Sequence, residues 1–371
     1  MFNLPTYQEL SEEQDSAINL PIKGNYLVIG PPGSGKTVIA VYRAEMLKDT
    51  KNDCILLVYG SVLHQYMDSV LKAKELESYS EKFYTWFPKW YRATFGKLPP
   101  ELARWKYDWI AIFTDIGRMK KDSFTRFPNL ILDEGQDFPR EMYSALQILA
   151  ENSSIFADDN QRIFDNNSTI DDIRINMGIS RDQVKMLTRN YRNTRPIAEL
   201  AGKFYTGGPS GIPDLPERKG SLPKLIHASK KSQSKMIAYY ASNNPTKTVG
   251  VLVPYKNMMT HLYNEISRQY SGSIQMYYSD DRNFRNVDFT KPGVFVITWA
   301  SAKGLQFDTV FLPQLEQIRT DSKIDDLSMK FYVLVSRARE ELYMLSEGNE
   351  VPFVLENIQT SLYKTEKLKE S

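Results

Sequence analysis

The chain has 371 residues, 42% of them apolar and 25% charged, which is enough for two ordinary domains with packed cores and excludes global disorder. Its 47 Lys and Arg nearly balance 45 Asp and Glu, leaving a net charge of +2, so no global field draws it to nucleic acid and any such site has to be a local patch. A single cysteine, Cys54, and three histidines exclude an intrachain disulfide and argue against structural zinc. With no amino-terminal leader pattern and no membrane-length apolar run, a cytoplasmic protein without membrane contact is expected.

In chain order, the first short apolar run, 26–29, leads into Gly30-Pro31-Pro32-Gly33-Ser34-Gly35-Lys36-Thr37 and then a helical pattern. Gly, four residues, Gly-Lys-Thr between a strand and a helix is a phosphate-binding loop in its confirming context. The glycines let backbone N–H groups approach phosphates, and the helix start adds partial positive charge. Lys36 is then expected on the β- and γ-phosphates and Thr37 on Mg²⁺. A second strand spans 55–59. Residues 61–128 are rich in aromatics and Lys, including Trp86, Trp90, Trp105 and Trp109, and read as a mainly helical insertion.

The run 130–132 ends in Asp133-Glu134-Gly135-Gln136-Asp137. An acidic pair at the end of a buried strand can hold Mg²⁺ through Asp133 and polarise an attacking water through Glu134. A helix at about 140–150 and strands at 155–157, 249–253, 294–297 and 309–312 follow. A Gly/Pro-rich connector at about 206–223 interrupts them, and a tail of mixed charge runs from 346. Strands alternating with helices predict an α/β fold with largely parallel sheets, and the polar clusters fall just after strands, at the carboxyl edge where such sheets bind ligands. These two motifs make the chain an NTPase without saying what the energy is used for.

Further segments arrive in an order that resembles superfamily 1 helicases of the UvrD/Rep/PcrA type. Leu10-Ser11-Glu12-Glu13-Gln14 resembles the adenine-reading Q motif, and Asp133 to Asp137 the Asp-Glu-x-Gln-Asp box. Asp158-Asp159-Asn160-Gln161 resembles motif III and Asn190-Tyr191-Arg192 motif IV. Thr298 through Ala302-Lys303-Gly304-Leu305-Gln306-Phe307-Asp308 resembles motif V, and Val335-Ser336-Arg337-Ala338-Arg339 motif VI. The resemblance implies two RecA-like P-loop NTPase domains, 1–185 (with the reduced insertion at about 61–128) and 186–345, followed by the tail 346–371. ATP would lie between the domains. It also implies that Gln14 selects adenine, Gln161 senses the γ-phosphate, Arg192 touches it, Gly304 and Gln306 border the nucleotide, and Arg337 is an arginine finger. Lys36, Asp133, Glu134 and Gln161 would come from the first domain, Arg192 and Arg337 from the second. The implied activity is ATP-driven 3′→5′ movement on single-stranded DNA.

The chain also departs from the family. Gln306 stands where motif V carries Glu, and Ala300 where it often carries His. Of the aromatics that stack on bases after motif III, Phe164 matches one and Asn166 replaces the other. Stacking contributes about 1–3 kcal/mol per base, so compensation from Trp86, Phe87 or Trp299 is one expectation and core packing of these rings the other. Residues 55–67 resemble motif Ia, where Tyr59 and His64 would line the strand path beside Thr298; a capped helix packed on the sheet is the competing reading. The accessory insertions look reduced. Beside the translocase, two alternatives stay open: a nucleotide-gated module that switches a partner such as a nuclease, in a setting such as anti-phage defence, and an RNA-directed motor, since phosphate contacts do not distinguish the sugars.

Overall fold

The apolar runs become the central strands of two parallel sheets in a computed structural model. It describes residues 4–59, 67, 70–103, 106–119, 126–158, 168–208, 210–278, 287–289, 291–318 and 324–368. The strands are β1 (Asn25–Ile29), β2 (Ile55–Val58), β3 (Ser80–Lys82), β4 (Glu101–Ala103), β5 (Lys106–Tyr107), β6 (Phe127–Asp133), β7 (Ala150–Ala157) and β8 (Val184–Met186). They continue with β9 (Lys224–His227), β10 (Thr248–Val253), β11 (Ile274–Tyr277), β12 (Gly293–Thr298), β13 (Phe307–Leu312), β14 (Ala338–Ser346) and β15 (Lys364–Lys367). The first sheet has the order β3-β2-β6-β7-β1-β8 and the second β11-β12-β10-β13-β14-β9-β15. Every pairing in both is parallel. The expected mixed α/β architecture with large parallel sheets is therefore present.

Side-chain alternation explains how both faces of each sheet are covered. In β1, Leu27 and Ile29 join one apolar cluster and Val28 another. In β10, Val251 and Val253 point to one cluster and Leu252 to the other. Strands buried on both faces read as continuous apolar runs, which is why the sequence marked them. The cluster holding Val28 and Leu252 is shared by the two sheets, so the lobes built on them are joined by apolar packing as well as by the chain.

Several elements escaped the sequence reading. The strands β3 and β8 have three residues each, too short for an apolar run to mark them. β14 begins Ala-Arg-Glu-Glu, with charges on its half-buried positions. The insertion does carry the helices Phe83–Phe95 and Trp109–Gly117, but it also supplies edge strand β3 and the antiparallel hairpin β4–β5. The segment after 346, expected as a tail, is a correction: β15 pairs in parallel with β9, and Leu355 and Tyr363 are buried. A mixed-charge edge strand has one wet side, so its composition resembles a solvated tail.

Candidate nucleotide site

Strands β6, β7 and β1 are adjacent and parallel, with Leu132 beside Ile155 and Ile29 beside Ala157. Their carboxyl ends therefore deliver Asp133, Asp158 and the Gly30–Thr37 loop to one edge, strands about 4.8 Å apart. Beyond β1 the chain turns into the helix Lys36–Asp49 through Gly33 and Gly35, whose φ angles of +89° and +91° suit glycine alone. A Cβ on Gly33 would lie 2.6 Å from Asn190 Oδ1, and one on Gly35 2.4 Å from Gln14 Nε2. The Lys36 ammonium is buried and donates to the Gly30 carbonyl at 2.6 Å, the Pro31 carbonyl at 3.0 Å and Asp158 Oδ2 at 3.3 Å.

The acidic pair behaves as two different groups. Burial, then the charge of Glu134, pushes Asp133 up to about 7, against a hydrogen bond with Thr37. Burial also works against ionised Glu134, but Lys303, Lys36, the Gln136 amide and Arg337 outweigh it and hold that carboxyl below its ordinary value. Gln136 is fully buried; its Nε2 donates to Glu134, and its Oε1 accepts the Asp158 backbone N–H at 2.8 Å. One amide thus locks the end of β6 to the end of β7.

Three cations reach this edge from beyond the first sheet. Lys303 forms an ion pair with Asp137, both side chains largely buried; burial nevertheless lifts Asp137 to about 6. Arg337 is completely buried, with Nε donating to the Val333 carbonyl at 2.9 Å and Nη1 to the Leu305 carbonyl at 3.3 Å. Burial and Arg192 lower its pKa to about 9, while Glu134 and Asp158 pull the other way, so it is charged at neutral pH. Arg337 and Leu305 precede the paired strands β14 and β13. The carboxyl edge of the first sheet therefore meets the amino edge of these strands of the second.

Arg192 was expected on the second wall and instead sits at the junction. The Tyr191 N–H donates to the Gly33 carbonyl at 2.9 Å, a Cβ on Gly33 would lie 3.2 Å from Arg192 Cβ, and Arg192 Nη1 reaches the Ser336 carbonyl at 3.5 Å. The following helix, Arg195–Gly202, buries Ile197 and Leu200 in the shared cluster. This short segment is covered by both lobes.

The donor set fits a hard dication. Asp133 Oδ2 is buried without a hydrogen-bond partner, Ser34 Oγ in the phosphate loop is likewise orphaned, and Thr37 bonds Asp133. All three are oxygen donors, as Mg²⁺ requires, and a dication there would return Asp133 to its ionised form.

Gln14 and Thr298 have hydrogen-bond partners of their own. Gln14 closes a capping box, its Oε1 accepting the Ser11 N–H at 3.1 Å, and its Nε2 donates to the Ser34 carbonyl at 3.2 Å. Its amide thus braces the phosphate loop. Gly304, with φ +75°, forms the turn before β13, where Gln306 is half-buried. Thr298 shares a hydrogen bond with Ser301 at 2.9 Å.

Of the stacking candidates, Trp86 and Phe87 are corrected, while Trp299 and Tyr59 are half-buried. Trp86 and Phe87 are buried in an aromatic cluster, Trp86 4.9 Å from the Phe127 ring and Phe87 stacked 5.3 Å from Phe83. Trp299 donates to the Leu252 carbonyl at 3.2 Å and packs edge-on against Phe331. Tyr59 lies edge-on to Tyr84 and Phe138, where burial raises its hydroxyl pKa. Apolar rings on amphipathic helices are drawn inward by the area they bury. His64, Gln161 and Phe164 lie outside the described residues. Conversely, Gln136, Asp137, Asp158, Lys303 and Asn193 were not singled out for the site. The first four lie within quoted motifs, and that position was the available signal.

Among the described residues, no helix is long and apolar enough to cross a membrane. Residues 277–348 match the family model of the UvrD-like helicase C-terminal domain. This stretch contains β12 to β14, Lys303 and Arg337, and leaves the phosphate loop outside it. No curated protein matches. Among solved structures, the C-terminal domain of a possible DNA helicase from Lactobacillus plantarum WCFS1 is 20% identical, covering 47% of this chain and 97% of its own, with a TM-score of 0.37. The similarity to a UvrD-like helicase C-terminal domain thus covers residues 277–348, the stretch that carries Lys303 and Arg337.

Proposed function

We propose that this chain is an ATP-driven motor on single-stranded DNA, hydrolysing Mg-ATP between a lobe ending near residue 190 and a lobe built on the second sheet. The observation that carries this reading is the convergence of Lys36, Asp133 and Glu134 from one sheet edge with Lys303 and Arg337 from the other sheet, where the Lys303–Asp137 ion pair bridges the two. In that role Lys36 exchanges its loop carbonyls for the β- and γ-phosphates, and Asp133 with Thr37 holds the cation. Glu134, kept ionised, orients the attacking water and accepts its proton. Arg192 and Arg337 stabilise the charge that develops on the transferred phosphoryl group. Mg²⁺, when bound, neutralises phosphate oxygens. Loss of the γ-phosphate removes a bond between the lobes, and their opening and closing alternates the grip on the strand in the 3′→5′ sense.

A second reading, a nucleotide-gated switch for a partner such as a nuclease, is favoured by the burial of Trp86 and Phe87, which takes those two rings out of the set available to grip bases. ATP turnover stimulated by single-stranded DNA, read beside displacement of an annealed strand, separates the two. Turnover with displacement supports the motor; vigorous turnover without it supports the switch; turnover indifferent to nucleic acid sinks both. Competition between DNA and RNA oligomers decides the strand.

A further inference from the structure

The segment Asn190–Thr194 links three parts of the site through one buried side chain. Asn190 Oδ1 accepts the N–H groups of Arg192 at 2.9 Å and Asn193 at 3.1 Å, closing a tight turn, and Asn190 Nδ2 donates to Asn193 Oδ1 at 2.8 Å. The same turn is tied to the phosphate loop by the Tyr191 N–H on the Gly33 carbonyl at 2.9 Å. Asn193 is fully buried. Its Nδ2 donates to the Ser336 carbonyl at 3.1 Å and to the Ala338 carbonyl. These are the carbonyls on either side of Arg337. An amide nitrogen has two hydrogens, and both are used here. The carbonyl of Arg337 itself accepts the Phe307 N–H at 3.0 Å, so three consecutive carbonyls around the arginine are held.

We infer that Asn193 is a positioning residue for Arg337: its amide, anchored on the phosphate-loop side through Asn190, fixes the backbone from which the guanidinium is presented to the nucleotide. This rests on the reading of Arg337 as the group that stabilises the transition state. A side chain that only filled space would not need two donors aimed at carbonyls two residues apart. A rigid backbone matters because a misplacement of about 1 Å at a reacting centre costs about a hundredfold in rate.

The test is a double-mutant cycle on steady-state ATP hydrolysis with N193D, R337A and the pair. Asp at 193 keeps the volume but faces two carbonyls with acceptor oxygens. N193D is expected to lower kcat about tenfold to a hundredfold, the effect of losing one or two buried hydrogen bonds, with KM for ATP within about twofold. In the R337A background the same change should have no further effect on kcat. The kcat ratio of N193D to the parent should also recover as pH falls, because a protonated carboxyl regains one donor. A drop in kcat that persists undiminished in the R337A background, or an N193D enzyme as fast as the parent, overturns the proposal. R337A with unchanged kcat would instead remove the reading of Arg337 itself. Should N193D fold poorly by thermal melt, N193S, which keeps one donor, is read in the same cycle with the same expected non-additivity.

Discussion

The two walls of the cleft solve the same electrostatic problem in different ways. On the first, charges are matched along one sheet edge. Lys36 lies on two loop carbonyls and Asp158, and Glu134 lies on Gln136, which in turn holds the next strand. On the second, Arg337 is fully buried against carbonyls of its own lobe, and the carboxylates whose fields reach it, Glu134 and Asp158, belong to the opposite wall. An uncompensated buried charge is expensive. The carboxylates of the first wall therefore contribute to balancing the charge of the second, which couples the arrangement of the two lobes.

The contrast can be broken from either side. The largest effect is expected for K36A, which removes the only ammonium on the phosphate loop; hydrolysis should vanish in a phosphate-release assay, and residual turnover near the parent rate would detach the loop from the reaction. R337A should lower kcat by about 10³-fold, the lower range for an arginine finger, with nucleotide affinity by equilibrium titration nearly unchanged. If affinity collapses instead, the arginine acts in the ground state. E134Q should keep nucleotide binding and lose about 10²–10⁴-fold in turnover; an active E134Q would take Glu134 out of the base's role.

Away from the cleft, W86A should cost about 3–5 kcal/mol of stability in denaturant unfolding and leave single-strand affinity at the parent value. A selective loss of strand binding would return Trp86 to the surface role that its burial contradicts. The smallest effect belongs to the ion pair between the walls. A cycle of D137N and K303Q should return a coupling of about 0.5–3 kcal/mol, and zero coupling would mean the lobes do not depend on that bridge.

Much of the site was legible because its motifs impose local backbone requirements. The loop Gly30–Thr37 needs positive φ at fixed spacings between a strand and a helix, and the structure meets that at Gly33 and Gly35. Asp133 and Glu134 were marked by the apolar run before them. Arg337 was reached only through family resemblance, since an arginine before a strand has no local signature. Asn193 had none either: an Asn in Asn-Tyr-Arg-Asn-Thr reads as a turn residue, and its partners, Ser336 and Ala338, are distant in sequence. The partnership of Lys303 with Asp137 was hidden for the same reason. The aromatics misled in the opposite direction, because ring content signals stacking and packing equally until burial is known.

What this amino-acid order marked by itself is the most apolar of the buried strands and a loop at the end of one of them with the spacing of a phosphate-binding loop, because periodicity and backbone conformation are local properties. Which edge meets which, where the junction arginine sits, and which rings are hidden were decided by tertiary packing. Burial and charge compensation depend on surfaces brought together from far along the chain, and no short window of residues carries that information.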